Sequence, residues 1–562
     1  MALIQIPATA AEPLRVSKPI QATKEDLDPQ RTWAAPDILV HPDDPLIMVA
    51  GMHEFRTKEC SLMRSVDGGV SWKLLDAKPA LKSYPYCVAN NSNVFQANLA
   101  WGRDNRLYMA MGGWDLQDTR SRSSILVARS DDLGDTWTTV VAHDARPTDD
   151  PKRISYRPVN NIVVDKTSAS DDIVYVSYRG QYQNQPAGSA PPVEPTVSVS
   201  RDGAKTFAPV NVMGQFWEAA DVRQKQLSAG TTVPNQTVAT VAANTFGSTP
   251  DKLENFGAST NGQGLTLDGK GNLYYVWLSQ TNNNVTDGQP RGMLLSKSTD
   301  QGKTWTTTQL RPFSYENRQN TRIAWSPDGG SNGSLHIVWE ASRDNPALLA
   351  YADVVHIRST DGGATWSEPK RLADDDPKNL SGKYIPNIKV APNGRIDVAF
   401  WDTRDDPGIR ANDVYYTYSN DGGVTWAKNV RMTDQTIDRR FGVWGINYDQ
   451  NSPPSLASTN KFAVIGWDDT RFSRGIDGPV LPQNPQNESG IGSGVQDFFV
   501  ATAQFEAIGG GTSNVAKFVL AGVIGLMSVG LMLTLLTFSR GRSADKGSAG
   551  SVASDGKKTA TV

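Results

Sequence analysis

One octapeptide recurs six times along the chain and limits its fold more than any other feature. The copies are SVDGGVSW at Ser65–Trp72, SDDLGDTW at Ser130–Trp137, SRDGAKTF at Ser200–Phe207, STDQGKTW at Ser298–Trp305, STDGGATW at Ser359–Trp366 and SNDGGVTW at Ser419–Trp426. They follow the pattern S-x-D-x-G-x-(S/T)-(W/F), with the glycine displaced by one place in the third copy. Each position has a mechanical task. The Asp carboxylate accepts backbone N–H groups just downstream, as in an Asx turn. The glycine or its neighbour takes a positive φ without a Cβ clash. The hydroxyls tie down the remaining polar groups of the turn, and the closing aromatic buries an apolar face under a hairpin. The octapeptide reads as a self-contained hairpin turn, so its Asp residues are assigned no catalytic role.

Similar strands precede each copy. In the sixth unit IPNIKVAP is followed by a turn at Asn393-Gly394, then RIDVAFW, then DVYYTYS running into the octapeptide. Each unit is thus a four-stranded meander with the octapeptide between its third and fourth strands. Seven units begin near Pro36, Gln96, Pro158, Gly264, Thr321, Pro386 and Trp444; the seventh has KFAVIGWDD and QDFFVATAQFE but no octapeptide. The interval between copies widens once, where an insertion from Gly214 to Gly262 stands as a candidate surface loop or lid. Repeated four-stranded sheets close most naturally into a β-propeller. The expected fold is all-β, with seven blades favoured and six left open, and residues 12–20 could supply a blade-closing strand.

Composition agrees. A chain of 562 residues exceeds one ordinary core, and 49 Gly with 33 Pro suit many turns. The net charge of -3 gives a nucleic-acid partner no support. Five His scattered singly suggest no metal cluster, and no cofactor is implied. Cys60 and Cys87 both fall in the first unit, where a disulfide and two unpaired thiols both stay open.

The C-terminal end differs from the rest. After a Gly-rich linker, 508–517, comes Phe518–Phe538, FVLAGVIGLMSVGLMLTLLTF, which carries no charge. As a helix it would be roughly 32 Å long, enough to cross a hydrocarbon core of about 30 Å. Arg540, Arg542 and Lys546 follow it, while only Lys517 precedes it closely. The positive-inside rule then places the basic, disordered tail 539–562 in the cytoplasm and the large domain outside. Residues 1–11 lack a basic start and a long apolar run, though Ala8-Thr9-Ala10 has the spelling of a cleavage site. A truncated start, or a tail anchor with the propeller in the cytoplasm, would each account for this. Asn284-Val285-Thr286 and Asn379-Leu380-Ser381 match glycosylation sequons.

The octapeptide is the Asp-box, or BNR repeat, and residues 31–507 resemble the sialidase-like Asp-box propellers. The resemblance implies a ligand face opposite the Asp-boxes. Sialidases of this type are six-bladed, hold the substrate carboxylate with three Arg, and use a Tyr–Glu pair as nucleophile with an Asp as acid/base. The first of those Arg lies in an F-R-I-P motif. Here the matching region, RTWAAPDI from Arg31 to Ile38, spaces its Arg and Pro more widely. Tyr156-Arg157-Pro158 is closer in spelling but opens the third unit, and Tyr384 and Tyr448 stand as guesses for the nucleophile.

A looser repeat falls on the face opposite the octapeptides. After the second strands come Trp339-Glu340 with Arg343-Asp344, Trp401-Asp402 with Arg404-Asp405, and Trp467-Asp468 with Asp469 and Arg471. Trp114-Asp115 with Arg120, Glu54-Phe55-Arg56 and Tyr178-Arg179 extend it. One reading is a mouth where Arg holds a carboxylate and aromatics stack on a sugar. The other is that each Asp–Arg pair locks neighbouring blades, which suits a motif repeated in every blade. Arg157, Arg322, Arg439 and Arg440, between blades, are less regular and better suited to specific contacts. The first expectation is a membrane-anchored binding propeller for a glycan or cell-surface protein; the alternative is a sialidase-like glycoside hydrolase.

Overall fold

The computed structural model describes residues 14–25, 32–54, 59–81, 84, 86–87, 97–114, 123–144, 153–182, 193–212, 264–279, 292–312, 319–329, 332–342, 352–379, 381–406, 411–438, 453–472 and 496–505. Among these, seven antiparallel sheets follow one another along the chain. The first blade runs Trp33–Val40, Met48–Glu54, Glu59–Ser65 and Lys73–Asp76, from inside to outside. The other inner strands are Asn98–Trp101, Arg153–Asp165, Gly264–Leu267, Gln319–Ser326, Lys383–Val390 and Ser455–Ser458. Consecutive inner strands touch, and the seventh touches the first, so the sheets close a ring of seven blades rather than six.

Closure uses both ends of the propeller unit, Arg15–Gln504. The seventh blade takes three strands from the C-terminal side, Ser455–Ser458, Phe462–Asp469 and Asp497–Gln504. Its outer edge is Arg15–Val16 and Ile20–Gln21, both antiparallel to Asp497–Gln504. The Thr23 hydroxyl donates to Asp497 at 2.7 Å, and Gln496 Nε2 to the Trp33 carbonyl at 2.8 Å.

The octapeptides sit between third and fourth strands. In the fifth copy, Asp361 Oδ1 accepts the Thr365 N–H at 2.9 Å and the Ser359 hydroxyl at 2.7 Å. The Thr365 hydroxyl donates to Oδ2, the Gly363 N–H to the Ser359 oxygen, and Trp366 Nε1 to the Gly363 carbonyl. The Thr365 hydroxyl and N–H hold the Asp361 carboxyl at about 2. The same Ser–Asp–(Ser/Thr) bonds recur in the other five copies. Two consecutive residues, not one, take positive φ in every copy, and Leu133, Ala204 and Gln301 do so without being glycine. The hydrogen bonds around the Asp hold these residues in a conformation that costs roughly 1–2 kcal/mol for a side chain with Cβ.

The core lies between blades. Trp137 packs on a cluster shared by blades one and two, Phe207 between two and three, Trp305 between three and four, Trp366 between four and five, and Trp426 between five and six. Trp72 packs edge-on against Phe498 of blade seven, so the series also crosses the closure. Each octapeptide aromatic therefore glues its blade to the preceding one. Polar clasps reinforce this. Arg64, Arg129, Arg201, Lys297 and Arg358 donate to the carbonyls of Leu133, Gly203, Gln301, Gly362 and Gly422, the fourth octapeptide position of the next copy in each case.

Cys60 and Cys87 form a disulfide that ties the third strand of blade one to the connector leading to blade two. Among the described residues no helix is long and apolar enough to cross a membrane. Phe518–Phe538 and the insertion Gly214 to Gly262 lie outside the described residues.

Histidines separated in sequence meet between blades five and six. His336 Nδ1 lies 3.1 Å from His356 Nε2 in stacked rings. Burial and Arg358 push His336 down to about 3; burial, His336, Arg358 and Lys370 push His356 well below its ordinary value. Both are neutral in the fold but take a proton near pH 6.5 once unfolded. Their contribution to stability is complete above about pH 6.5 and is lost as pH falls toward 3. In denaturant titrations across this range, the double variant H336N/H356N is expected to show a shallower loss of stability on acidification, by up to ~1.4 kcal/mol per pH unit for each histidine. Parallel curves for the two proteins would contradict this.

Candidate functional site

The inner strands share a pattern: one polar or small residue, then Ile or Leu. The pairs are Asp37-Ile38, Asn98-Leu99, Asn161-Ile162, Gly264-Leu265, Arg322-Ile323, Asn387-Ile388 and Ser455-Leu456. In four blades a register shift comes just before the polar residue, between Ala34 and Asp37, Pro158 and Asn161, Gln319 and Arg322, and Tyr384 and Asn387. An extra residue at such a bulge re-aims the side chain that follows it. Glycine allows the strands to approach: a Cβ on Gly264 would lie 2.6 Å from the Ile323 nitrogen.

Residues from six of these strands line a cavity of about 200 Å³ at the centre of the ring, where Asp37, Asn98, Asn161, Arg322, Asn387 and Lys389 meet. Some of them serve the ring itself. Asp37 Oδ2 accepts the Leu99 N–H of the next blade at 2.8 Å, and Asn387 Nδ2 donates to the Pro454 carbonyl at 3.0 Å. Arg322 differs. It is 7 % exposed, its guanidinium donates to the carbonyl of the adjacent Thr321 at 3.3 Å, and among the described residues it makes no other side-chain hydrogen bond and no ion pair. Burial pulls its guanidinium down to about 10 while Asp37 pulls it up, so it stays charged at neutral pH. Burial raises Asp37, opposed first by Lys389, then by the Leu99 N–H and Arg322. Two cations facing one carboxylate in a small cavity favour an anion, and Arg offers a planar fork for its oxygens.

The rim arginines have a different task. Arg404 donates from Nε to Asp402 at 2.8 Å, from Nη1 to Asp374 at 2.7 Å and from Nη2 to Asn429 at 2.8 Å, with its guanidinium 4.2 Å over the Tyr415 ring. Arg471 repeats this with Asp469, Asp434 and the Phe499 ring. Asp374 and Asp434 belong to the connectors that enter blades six and seven, so both arginines lock connector to blade. Within blade seven the carboxylate partner of Arg471 is thus Asp469, not Asp468, because this blade carries one more acid after its Trp; Asp468 is buried. Burial raises Asp402 to about 6 although Arg404 and Lys383 oppose it.

Other sequence-derived candidates separate. Glu340 is buried and accepts the Ile385 N–H of the next blade at 3.4 Å. Trp339, Trp401 and Trp467 are fully buried and belong to the blade cores, so they present no stacking face to a sugar. Tyr384 is buried with its hydroxyl 2.7 Å from Asn412 Nδ2. Arg157 lies on inner strand Arg153–Asp165 opposite Arg179; the side chains of both fall outside the described residues, as do Arg343, Arg439, Arg440 and Tyr448 altogether. Among the candidates whose side chains are described, Arg322 lines the central cavity. Asp37, Asn98, Asn161, Asn387 and Lys389 were missed; each stands beside an Ile or Leu within an inner strand, and no motif sets it apart.

No protein-family model and no curated protein matches the chain. Similar solved structures include a Dyadobacter fermentans protein of unknown function, with 12% identity, 89% of this chain and 100% of that chain covered, and a TM-score of 0.44. A Hadza microbial sialidase shares 15% identity over 83% of this chain and 75% of its own, with a TM-score of 0.42. A GH93 α-L-arabinofuranosidase of Fusarium graminearum shares 14% over 72% and 98%, with a TM-score of 0.39. At this level of likeness they carry no information on ligand or chemistry.

If Arg404 is a lock, removing it strands the buried Asp402. Arg404→Ala is expected to destabilise the fold by about 3 kcal/mol at pH 8, and by less at pH 5, where Asp402 can take up a proton. A loss below about 1 kcal/mol that ignores pH would show that the pair does not hold the blades.

Proposed function

We propose that this chain is a membrane-anchored Asp-box propeller that binds the acidic end of a glycan in its central cavity, with Arg322 as the anchor. The observation that carries the reading is the charged, buried guanidinium of Arg322, which faces a cavity and has no carboxylate partner among the described residues. A cavity of about 200 Å³ is suited to one sugar acid rather than to the face of a folded protein. Lys389 adds a second cation, and Asn98 and Asn161 bring amides that match hydroxyl groups.

Binding is favoured over hydrolysis because Arg404 and Arg471 are already held by Asp402, Asp374, Asp469 and Asp434. Turning them to a substrate would leave those carboxylates uncompensated, two of them buried. The disulfide suits an oxidising compartment. With the apolar stretch Phe518–Phe538 and the basic residues after it, this supports a propeller outside the membrane and a tail within the cytoplasm.

Calorimetric titration with N-acetylneuraminate and glucuronate, against glucose as the neutral control, tests the reading. The acids are expected to bind and glucose not, with Arg322→Ala weakening the acids at least tenfold, Arg322→Lys less, and a fluorogenic sialoside bound without turnover. Equal binding by Arg322→Ala, or a preference for glucose, would remove the proposed anchor; turnover of the sialoside would move the protein to the hydrolases.

A further inference from the structure

The disulfide has a neighbour that it does not explain. His53 stands opposite Cys60 in the register of blade one, and a ring nitrogen of His53 and the two sulfurs of Cys60 and Cys87 lie within 4.8 Å of one another. All three residues are fully buried. Among the described residues neither His53 nitrogen has a hydrogen-bond partner. Cys60 and Cys87 belong to an apolar cluster with Ala34, Val49, Leu62 and Leu99. An imidazole with both nitrogens unmet in such a place costs roughly 1–3 kcal/mol for each unpaired group. An apolar side chain would fill this space without the penalty. The histidines are scattered in sequence, and the fold brings one of them to both cysteines.

We propose that His53, Cys60 and Cys87 form a redox-gated site that holds one zinc ion when the disulfide is reduced. Reduction opens the S–S bond to two thiols: two molecules of a thiol reductant give up their hydrogens and join as a disulfide, or a phosphine takes the oxygen of one water, whose two protons go to the sulfurs. Zinc then displaces both thiol protons and takes a lone pair from His53. The charge decides the metal: two thiolates, a neutral imidazole and a divalent ion sum to zero, which an apolar pocket tolerates, whereas a monovalent soft ion would leave a buried negative charge. Three protein ligands leave one tetrahedral position open. In the oxidised protein the sulfurs bond to each other and the site cannot bind metal.

The full chain, reduced with a phosphine and freed of excess reductant, is titrated with zinc, and with cobalt as a coloured surrogate. One zinc ion per chain is expected, with a thiolate-to-cobalt charge-transfer band, protection of both thiols from alkylation, and none of this in the oxidised protein. Cys60→Ser should abolish the band. His53→Ala, which keeps both sulfurs and can still form the disulfide, should weaken zinc at least tenfold. Zinc bound equally by His53→Ala, zinc absent from the reduced chain, or unfolding of the chain on reduction would each overturn the proposal.

Discussion

Everything at the centre of this protein depends on the pairing of Arg15–Val16 and Ile20–Gln21 with the last strand of the propeller. A blade buries its apolar faces only against the blades on either side, and a ring of such sheets has no ends. The chain meets this demand by laying Arg15–Val16 and Ile20–Gln21 along Asp497–Gln504, which fastens the first blade and the last through one sheet. Trp72 against Phe498 and Gln496 against Trp33 then cross the seam with the kinds of contact used between other blades. Without this pairing the seven inner strands have no reason to face a common axis, and the polar cavity between them does not exist.

The cations of the ring divide by what they touch. On the octapeptide side, Arg64, Arg129, Arg201, Lys297 and Arg358 each hold a carbonyl of the following turn. On the opposite side, Arg404 and Arg471 hold paired carboxylates. These are repeated contacts, as expected of parts that serve every blade alike. Arg322 breaks the repetition: the corresponding positions carry Asp, Asn, Gly or Ser, and two of those reach across to the next blade. A residue that departs from the pattern of its ring, buried and charged over a cavity, is the natural place to look for a ligand.

The propeller was legible because the octapeptide encodes a turn through its own side chains, and six copies fix the period. Blade number followed from counting meanders, including a seventh without the turn. The rim's repeated residues are visible in the sequence and its contacts are not: Asp469 and Asp468 are neighbours in sequence, and only the backbone geometry after Trp467 decides which one meets Arg471. The partners Asp374 and Asp434 sit in connectors with no motif of their own. The central cavity was nearly invisible, since its members come one per blade from strands that otherwise look like core. His53 and the cysteines show the same limit, for a register between strands joined them.

Ring closure is best tested by a crosslink across the seam. Val16 and Ala503 face one another in the antiparallel register, so the variant Val16→Cys/Ala503→Cys, made with Cys60 and Cys87 retained, is oxidised and its disulfides mapped by mass spectrometry. The account predicts a bond between positions 16 and 503 in the folded protein, formed alongside the native one, and a raised midpoint in a single cooperative unfolding transition. Folded protein in which both new thiols stay free would show that the termini do not meet, and the ring with its cavity would have to be abandoned.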